Sequence, residues 1–369
     1  MNNLEMSGKA LWSKQGKARR ALLTKIYEPA SRLRKGSPEY NKLASSGRIW
    51  EEYFQPGNSL EKGYVGLQKK HKRLLDDIDV LKAKLPTVEL GKPMVFEYAQ
   101  QSVMIENNPL TVGDANRIFE SMQKNVFRRV DLASTSSSEL VRIVTSEAEG
   151  ETGDDSSINE LKIHIIASQW IAENAAGKVC TAGLCEDEVR DLAVVSVRNT
   201  KSEAAYDIWG GKDQTKDSEA SSNLVWGAGV PLGGYRNLPI TVRSNRLRIF
   251  PYPQEFPACV KRFFEWRDTQ HREKALHPLV LACQMTAYFV HVHPFPDGNG
   301  RTSRMIEQDY LARQGYLPVV IRGLQRKDYL RMIDNASEGK PGEFVTAALE
   351  AQLSALQILY RRYLLTDDL

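Results

Sequence analysis

The sequence predicts an all-α protein, and three observations support this fold class. From residue 60 to residue 85 the apolar or tolerated positions recur at alternating steps of four and three, which places them on one face of a helix. Residues 278–292 are strongly apolar over a length typical of a buried helix. Only the stretch Ile240–Phe250 suggests strands, as one short β-hairpin that turns at Ser244 and Asn245.

Caps and helix-breaking residues define the other predicted helices. Pro86 ends the helix over 60–85, because proline supplies no amide hydrogen. A helix over 93–106 stops at an Asn-Asn-Pro sequence, and Thr111 with Asp114 then resembles a capping box that opens a helix to about residue 122. Further helices are predicted at 158–175, 185–198, 256–268, 300–314, 326–337 and 341–364.

The chain is expected to divide into two units. Residues 1–90 read as a separate helical region, a candidate interaction module, and residues 91–369 as the second domain. Within the second domain, residues 132–157 are rich in Ser, Thr and acids and predict a mobile insertion, and 200–224 predict a second polar loop. The stripe over 60–85 either packs internally or joins two copies, so a homodimer is left open.

Composition excludes several classes of protein. The 369 residues are 41% apolar and 26% charged with a net charge of +4, which is ordinary for a soluble globular protein and too mild to indicate nucleic acid. The basic N-terminus lacks the interleaved aromatics of a nucleic-acid surface. No apolar run approaches the ~20 residues that span a membrane.

The four cysteines indicate a reducing compartment. Cys180, Cys185, Cys259 and Cys283 form neither a disulfide framework nor a zinc-like spacing. Reduced thiols and the lack of an apolar signal-peptide core favour the cytoplasm or nucleus. A mitochondrial location is the alternative, because the first 35 residues are basic and poor in acids.

The most informative stretch is residues 293–304, His-Pro-Phe-Pro-Asp-Gly-Asn-Gly-Arg-Thr-Ser-Arg. Pro294 disfavours helical geometry before it, so the apolar helix should end at His293 and leave the imidazole at a loop mouth. With an ordinary pKa near ~6.5, that ring can accept a proton at neutral pH. Asp297 supplies an oxygen for a phosphate-bound Mg²⁺. Phe295 is expected in the core, and His291 is expected to be structural.

The second half of this stretch has the features of a phosphate site. Gly298, Asn299 and Gly300 allow backbone N–H groups to converge at the start of a helix, whose dipole also favours anions. Arg301 and Arg304 lie three apart on that helix and so share a face. Guanidinium groups match phosphate oxygens in pairs. The sequence therefore predicts a nucleotide-phosphate site beside a proton acceptor.

The order and spacing of these residues resemble the signature of the Fic family, His-x-Phe-x-(Asp/Glu)-Gly-Asn-Gly-Arg-x-x-Arg, at every specified position. Gly234-Tyr235-Arg236, the hairpin and Pro251-Tyr252-Pro253 also resemble the start of the family's flap, here near 239–252. The similarity covers about 95–360 in element order. It implies a Fic-fold helical bundle with a small β-hairpin flap, preceded by the helical N-terminal region.

The resemblance implies a protein adenylyltransferase that uses ATP and Mg²⁺. In this scheme His293 deprotonates a Ser, Thr or Tyr hydroxyl of a target protein, whose extended backbone pairs with the flap. Asp297 holds Mg²⁺, and the amides of residues 298–300 bind the anion, with the Asn299 side chain as a further candidate. Arg301 and Arg304 bind the β and γ phosphates.

The adenine pocket is less clearly predicted. Relatives place Tyr and Asn near the stretch that begins at Tyr329, which makes that tyrosine a candidate. Where related eukaryotic proteins have Asn before the acid-Gly pair, this chain has Ser337, and Asn335 lies two residues away. The choice of nucleobase is therefore open.

Members of this family often carry an inhibitory (Ser/Thr)-x-x-x-Glu-(Gly/Asn) helix. The stretch from Ser102 to Glu106 and Asn107 fits, within a helix near 93–107, and a Glu106 carboxylate is expected to pair with Arg304. A second match, Thr145–Gly150, lies in the acidic insertion and is interpreted as coincidental. Some regulated relatives also remove AMP with the inhibitory glutamate, so the net direction of reaction is undecided.

The sequence leaves four rival functions to compare with this one. Doc-type members transfer a terminal phosphate, but their signature replaces the second glycine with lysine, and Gly300 argues against that reaction. No residue indicates phosphocholine transfer. A nucleotide-binding interaction protein without transferase activity is the non-enzymatic alternative, although it would not need His293. Modification of nucleic acid has only the basic N-terminus in its favour.

Overall fold

The computed structural model describes residues 15–57, 59–149, 156–207, 229–242, 245 and 247–367. The described part of the chain contains no strand, in agreement with the predicted all-α class. Its α-helices are, in chain order, α1 (15–26), α2 (Glu28–Ser31), α3 (Pro38–Ser45), α4 (Arg48–Phe54), α5 (Ser59–Lys70), α6 (Lys72–Lys82), α7 (Thr87–Gly91), α8 (Val95–Ile105), α9 (Val112–Asn125), α10 (Ser137–Glu149), α11 (Ser156–Ala176), α12 (Glu186–Val197), α13 (Phe256–Glu273), α14 (Pro278–Val292), α15 (Asn299–Arg313), α16 (Arg326–Ser337) and α17 (Gly342–Asp367).

Helices α14 and α15 lie at the centre of the bundle and pack against each other. All residues of α14 from Leu279 to Val292 are buried, as expected for a helix that is apolar on every face. Helix α15 is also buried along most of its length, although its sequence is polar, and it contacts α8, α11 and α12. Its buried polar side chains therefore need partners on the surrounding helices.

The N-terminal helices share one hydrophobic core with the rest of the described chain. Trp50 and Tyr64 are fully buried in that core, and the Trp50 indole Nε1 donates to the carbonyl oxygen of Ile249 at 3.0 Å. Helices α5 and α6 pack against α14 and α17. The division near residue 90 stays a prediction.

The single helix predicted over 60–85 is two helices, which is a correction. The chain leaves helical geometry at His71, between α5 and α6. The His71 Nε2 atom and the Thr346 hydroxyl of α17 lie 3.1 Å apart. The break thus occurs where the chain meets the C-terminal helix, and the apolar spacing alone could not reveal that contact.

The mobile insertion predicted over 132–157 is wrong for most of its length. Residues 137–149 form α10, and α11 already begins at Ser156. Leu140 and Val144 lie four apart on one face of α10 and are buried in the core, which explains why a polar stretch is helical. Of the coincidental inhibitory match, Thr145 lies within α10 and Gly150 lies outside the described residues.

The β-hairpin predicted over 240–250 is not found in the described part of that stretch. Residues 239–242, 245 and 247–252 have no strand, and Ser244, where the turn was expected, lies outside the described residues. A 3₁₀ turn, Pro253–Glu255, leads from this segment into α13. The polar loop predicted over 200–224 is described to residue 207 and contains a 3₁₀ turn, Glu203–Ala205.

Other element boundaries agree well with the predictions. The capping box is confirmed: the Asp114 amide donates to the Thr111 hydroxyl at 3.2 Å, and the Thr111 amide donates to the Asp114 carboxylate at 2.9 Å. The turn after α8 passes through Asn107 in left-handed geometry. None of the helices in the described ranges has both the length and the apolar character needed to cross a membrane.

Candidate active site

His293 lies directly after α14, at the mouth of a cavity of about 610 Å³. Its backbone is left-handed, with φ 52°, and the ring packs on Phe250 with centroids 4.6 Å apart. The Nδ1 atom lies 3.0 Å from the carbonyl oxygen of Val290. A carbonyl only accepts, so Nδ1 carries the hydrogen and Nε2 keeps a free lone pair.

Burial lowers the pKa of His293 to about 3, and the nearby charges of Arg236 and Arg248 contribute to the shift. The hydrogen bond to Val290 opposes these effects only in part. The imidazole is therefore neutral at neutral pH, the form that accepts a proton. His291, two residues earlier, is buried between Trp50 and Phe54, and both rings meet it edge-on at 4.8 Å between centroids. Its structural role agrees with the expectation.

The Asn299 side chain holds the loop that follows His293. Its Oδ1 accepts from the Phe295 amide and its Nδ2 donates to the Phe295 carbonyl oxygen, both at 2.9 Å. In this structure both polar atoms of the side chain bond within the loop, so its expected contact with the anion stays a prediction. Phe295 is 1% exposed, as expected for a core residue.

The glycines of the signature allow close packing at the start of α15. Gly298 has φ +82°, and a Cβ there would lie 2.6 Å from the Ser196 hydroxyl oxygen. A Cβ on Gly300 would lie 3.0 Å from Glu106 Oε1 and 3.2 Å from Arg304 Nη1. The first amides of α15 have no partner inside the helix and carry the positive end of its dipole. This helix end can therefore bind an anion.

Asp297 lies beside these amides, and its side chain is 50% exposed. Its Oδ1 accepts from the Gly298 amide at 2.6 Å, which orients the carboxylate toward the cavity that it lines. No cluster of three or more His, Cys, Asp or Glu side chains suited to a metal occurs among the described residues. A single carboxylate fits Mg²⁺, which usually takes one or two carboxylates together with phosphate oxygens and water.

Arg304 is buried and bound to the end of α8. Its Nε donates to the Ser102 hydroxyl at 2.9 Å, and Nη2 donates to the Ser102 carbonyl at 2.9 Å and to Glu106 Oε1 at 2.8 Å. The Tyr98 hydroxyl donates to the Arg304 carbonyl. The Nη1 atom makes no hydrogen bond with the described residues and lies beside Gly300. The expected pairing of Glu106 with Arg304 is thus present in this structure.

The electrostatics of Glu106 strengthen this contact. Partial burial raises the pKa of the carboxyl, but the charges of Arg304 and Arg301, the hydrogen bond from Arg304 and the charge of Arg326 together lower it below the ordinary value. Glu106 is therefore ionised at neutral pH. Its side chain is 31% exposed, whereas that of Arg304 is 5% exposed, so the carboxylate lies at the cavity wall and faces the place where phosphates would bind.

Arg301 has other partners than those predicted from its position in the signature. Its Nη1 donates to Glu160 Oε1 of α11 at 2.5 Å, and Nη2 donates to the Ser202 hydroxyl at 2.5 Å. Its side chain is 3% exposed and is not among those lining the cavity. Burial requires this guanidinium to be paired, and Glu160 provides the pairing. Direct binding of a phosphate by Arg301 is therefore not supported by its present geometry.

Tyr329 lines the cavity on the side of α16. The Arg304 guanidinium carbon lies 5.4 Å from the centroid of its ring, within the range of a cation–π contact. Nearby, the Arg248 guanidinium bonds to Asp334 at 2.8 Å and to the Ser337 hydroxyl at 2.5 Å. The Ser337 hydroxyl thus accepts from an arginine of the segment that precedes α13.

Two residues of this site were not singled out from the sequence as functional. Arg236 is buried, and its guanidinium donates at 2.8 Å to the carbonyl oxygens of His293, Leu238 and Pro251. It therefore joins Leu238 and Pro251 to the loop that begins at His293. Glu160 was the other omission. Arg236 was noted only within Gly234-Tyr235-Arg236, and its partner His293 lies 57 residues away. No local pattern marks Glu160, whose partner Arg301 lies 141 residues away.

Comparison with known proteins agrees with these features. Residues 214–311 match the model of the Fic/DOC family. A stretch of 95 residues is 40% identical to the protein adenylyltransferase Fic of Drosophila virilis and covers 26% of this chain and 19% of that relative. The relative of the same name from Drosophila melanogaster gives the same values. The chain spans about a fifth of the length of these curated relatives.

Two solved structures are similar to the whole fold. Fic-1 from C. elegans (residues 134–508) superposes with a TM-score of 0.54 at 15% identity, covering 97% of this chain and 99% of that one. A Fic-domain signaling protein from Bacteroides thetaiotaomicron gives a TM-score of 0.51 at 19% identity, covering 78% and 96%. These two structures are similar to this chain in fold, and the stretch that matches the Fic/DOC family model, residues 214–311, includes the whole signature.

Proposed function

We propose that this chain is a protein adenylyltransferase that moves AMP from Mg-ATP to a Ser, Thr or Tyr hydroxyl of a target protein and that Glu106 holds it in an inhibited state. One observation carries the proposal. The neutral His293 imidazole, the amides at the start of α15 and the Arg304 guanidinium all face one cavity of about 610 Å³, and such positioning is the main source of catalysis in phosphoryl transfer.

In this mechanism His293 is the general base. Its Nε2 accepts the proton of the target hydroxyl, whose oxygen forms a bond to the α-phosphorus of ATP. The bond from that phosphorus to the bridging oxygen breaks, and pyrophosphate leaves with its electron pair. The imidazolium then releases its proton to solvent. Proton transfer of this kind contributes about 10²–10⁴ to a rate.

Asp297 would hold Mg²⁺, which supplies neutralisation of the phosphate charge when it is bound. The amides of Asn299 and Gly300 would bind phosphate oxygens at the positive end of α15. Arg304 would bind the terminal phosphates through its guanidinium. Arg301 would instead stabilise the start of α15, because its guanidinium already donates to Glu160 and Ser202.

Inhibition follows from competition for Arg304. The γ phosphate of ATP and the Glu106 carboxylate are both anions that need this guanidinium, and Glu106 already accepts from Nη2 at 2.8 Å. A phosphate placed beside it would also be repelled by the carboxylate. ATP would then bind weakly or in an unproductive pose. The same carboxylate could serve as a base for removal of AMP, which leaves the net direction as a question for experiment.

The flap segment, residues 239–252, is proposed to bind the target. Ile240, Thr241 and Val242 line the cavity next to His293. Their described backbone has no strand partner in this chain, so an extended target segment could pair with it and present its hydroxyl to the imidazole. Tyr329 is proposed to contact the nucleotide from the opposite wall.

The decisive experiment uses the Glu106→Gly variant with ATP labelled on the α-phosphate and Mg²⁺. Loss of a charge-assisted contact of about 1.5–3 kcal/mol should raise labelling of the chain itself or of lysate proteins about tenfold or more. Adding His293→Ala should abolish the label, and mass spectrometry should find one adenylyl group on a hydroxyl. Absence of transfer from Glu106→Gly would overturn the proposal.

The alternative is a nucleotide-binding interaction protein without transferase activity. The buried position of Arg304 beside an ionised carboxylate is compatible with it. The alternative predicts that Glu106→Gly binds ATP but labels no protein. It also predicts that adding His293→Ala leaves the affinity for ATP unchanged.

A further inference from the structure

A second cavity, of about 570 Å³, lies at the opposite end of α14 and α15 from the candidate active site. We call it the rear cavity, and its lining includes Lys69, Lys72, Lys82, Gln270, Lys274 and His277. It shares no lining residue with the first cavity. Because α15 has 15 residues and a helix rises 1.5 Å per residue, the two sites lie roughly 20 Å apart.

Helices from both predicted units form the rear cavity. Lys69 lies on α5, Lys72 and Lys82 on α6, and Lys274 at the end of α13. The first residue of α14 and the last turn of α15 complete the wall. The two helices that flank the signature thus begin or end here, and a ligand in this cavity would contact both of them.

The rear cavity has an excess of positive charge. Of its four lining lysines, Lys72 is paired with Asp76 at 2.8 Å. Lys69 and Lys274 make no ion pair with the described residues. Lys82 donates to the Gln314 carbonyl at 3.0 Å rather than to a carboxylate. Several ammonium groups around one concave space attract a compact anion with more than one charge.

The acids next to the rear cavity do not cancel this excess. Asp79 accepts a hydrogen bond from the Tyr316 hydroxyl at 2.6 Å and lies 3.3 Å from His277 Nε2. The Asp79 carboxylate thus contacts Tyr316 and His277 and forms no hydrogen bond with the lysines of the described residues. Burial lowers the pKa of Lys82. The charge of Asp79 and the nearby Cys180 offset this effect only in part. A bound anion would compensate this cation directly.

Gln270 adds an unused hydrogen-bond acceptor. It is 8% exposed, it lines the rear cavity, and its Oε1 accepts no hydrogen bond from the described residues. A buried carbonyl of this kind needs a donor. A phosphate oxygen cannot donate, but a hydroxyl group can. The Gln270 Oε1 has less than 1 Å² of accessible surface, so this side chain has to reorient before the oxygen can accept from a ligand hydroxyl, whereas the lysines offer cations for phosphate.

We propose that the rear cavity binds a small organic phosphate that carries hydroxyl groups, through its lysines and Gln270. The volume of about 570 Å³ lies within the ~300–1,000 Å³ of small-molecule sites. A nucleoside diphosphate and a sugar bisphosphate both have the required chemistry. This inference does not depend on the proposed AMP transfer, since its residues are separate from the signature.

The chain contains its own reporter for this site. Cys180 and Cys185 are both exposed, but only Cys180 lines the rear cavity. The full chain is treated with iodoacetamide in the presence of pyrophosphate, ADP or fructose 1,6-bisphosphate. Peptide mass spectrometry then measures the rate of alkylation of each thiol. At a concentration about ten times Kd, a bound probe should slow alkylation of Cys180 about tenfold and leave Cys185 unchanged.

The three probes distinguish the source of the phosphate. Protection by ADP alone indicates a nucleotide, protection by fructose 1,6-bisphosphate alone indicates a sugar phosphate, and either result supports the proposal. Equal protection by pyrophosphate at the same concentration would contradict the role of the hydroxyl and of Gln270. If none of the three probes protects Cys180 selectively, the proposed site is ruled out.

Variants locate the effect. Lys69→Gln with Lys274→Gln should raise the concentration of probe needed for protection at least tenfold. The control is Lys261→Gln with Lys340→Gln, which makes the same change in net charge at exposed lysines outside the cavity. It should leave the concentration of probe needed for protection unchanged. Equal effects of the two pairs would show non-specific attraction and contradict the proposal. All four side chains are exposed, so folding should be retained.

Discussion

Arg301 and Arg304 lie three residues apart on α15, and their carboxylate partners differ in how far they are exposed. Both guanidinium groups are almost fully buried. Arg304 contacts Glu106 at 2.8 Å, and Arg301 contacts Glu160 at 2.5 Å and, more distantly, Asp297 at 4.0 Å. The partner of Arg301, Glu160, is 14% exposed and lies within the packed part of α11, whereas the partner of Arg304, Glu106, is 31% exposed at the end of α8. If the proposed function is right, the more exposed Glu106 is the partner that a ligand displaces, and Glu160 is the partner that stays in place.

The two pairs are also connected. Glu160 accepts from the Asn108 side chain at 3.0 Å through its second oxygen, and Asn108 lies in the turn that follows Glu106. The carboxylate that pairs with Arg301 thereby helps to hold the turn at the end of α8. Changes at Glu160 should affect stability first and inhibition second.

The largest effect is expected from Arg301→Ala. Removing one partner of a buried ion pair leaves the other charge unpaired, so the free energy of unfolding should fall by about 3–5 kcal/mol. Urea denaturation followed by circular dichroism measures this change. The comparison variant Glu106→Gln should lower the free energy of unfolding by less than half as much as Arg301→Ala does, because Glu106 is more exposed than Glu160. Equal losses for the two variants would remove the distinction between the pairs.

A smaller effect is expected from Ser102→Ala. The change removes the hydroxyl that accepts from Arg304 Nε, but it leaves the Ser102 carbonyl and Glu106 in place. Loss of one such bond, worth about 1 kcal/mol, should raise transfer of labelled AMP about fivefold, which is less than the effect of Glu106→Gly. Ser168→Ala, at a serine buried to a similar degree, is the control. A decrease in transfer would show that Ser102 supports catalysis instead.

The smallest effect concerns pH. The pKa of Glu106 is lower in the folded protein than its ordinary value of 4.5, so its ionised form stabilises the fold. That contribution is present above the ordinary value and is lost as pH falls through the folded value. The difference in unfolding free energy between the wild type and Glu106→Gln should be constant above about pH 5.5 and should narrow below about 4.5. A difference that stays the same at low pH would indicate that the charge of Glu106 contributes nothing.

Sequence patterns predicted elements well where the deciding interactions are local. The Thr111 and Asp114 capping box joins residues three apart, and α14 is buried because its own residues are apolar. The insertion over 132–157 was predicted wrongly because its polar composition hid two core contacts. The break at His71 was missed because its partner, Thr346, is 275 residues away.

The amino-acid sequence by itself determined the helical class, the order of groups in the signature and the residues able to accept a proton or bind phosphate. Spacing of three or four residues is enough for these, since it fixes which side chains share a helix face. Only the tertiary structure decided which arginine remains reachable from the cavity. Glu160 lies 141 residues from Arg301 and Glu106 lies 198 from Arg304, and burial requires each guanidinium to be paired with whichever carboxylate the fold brings near.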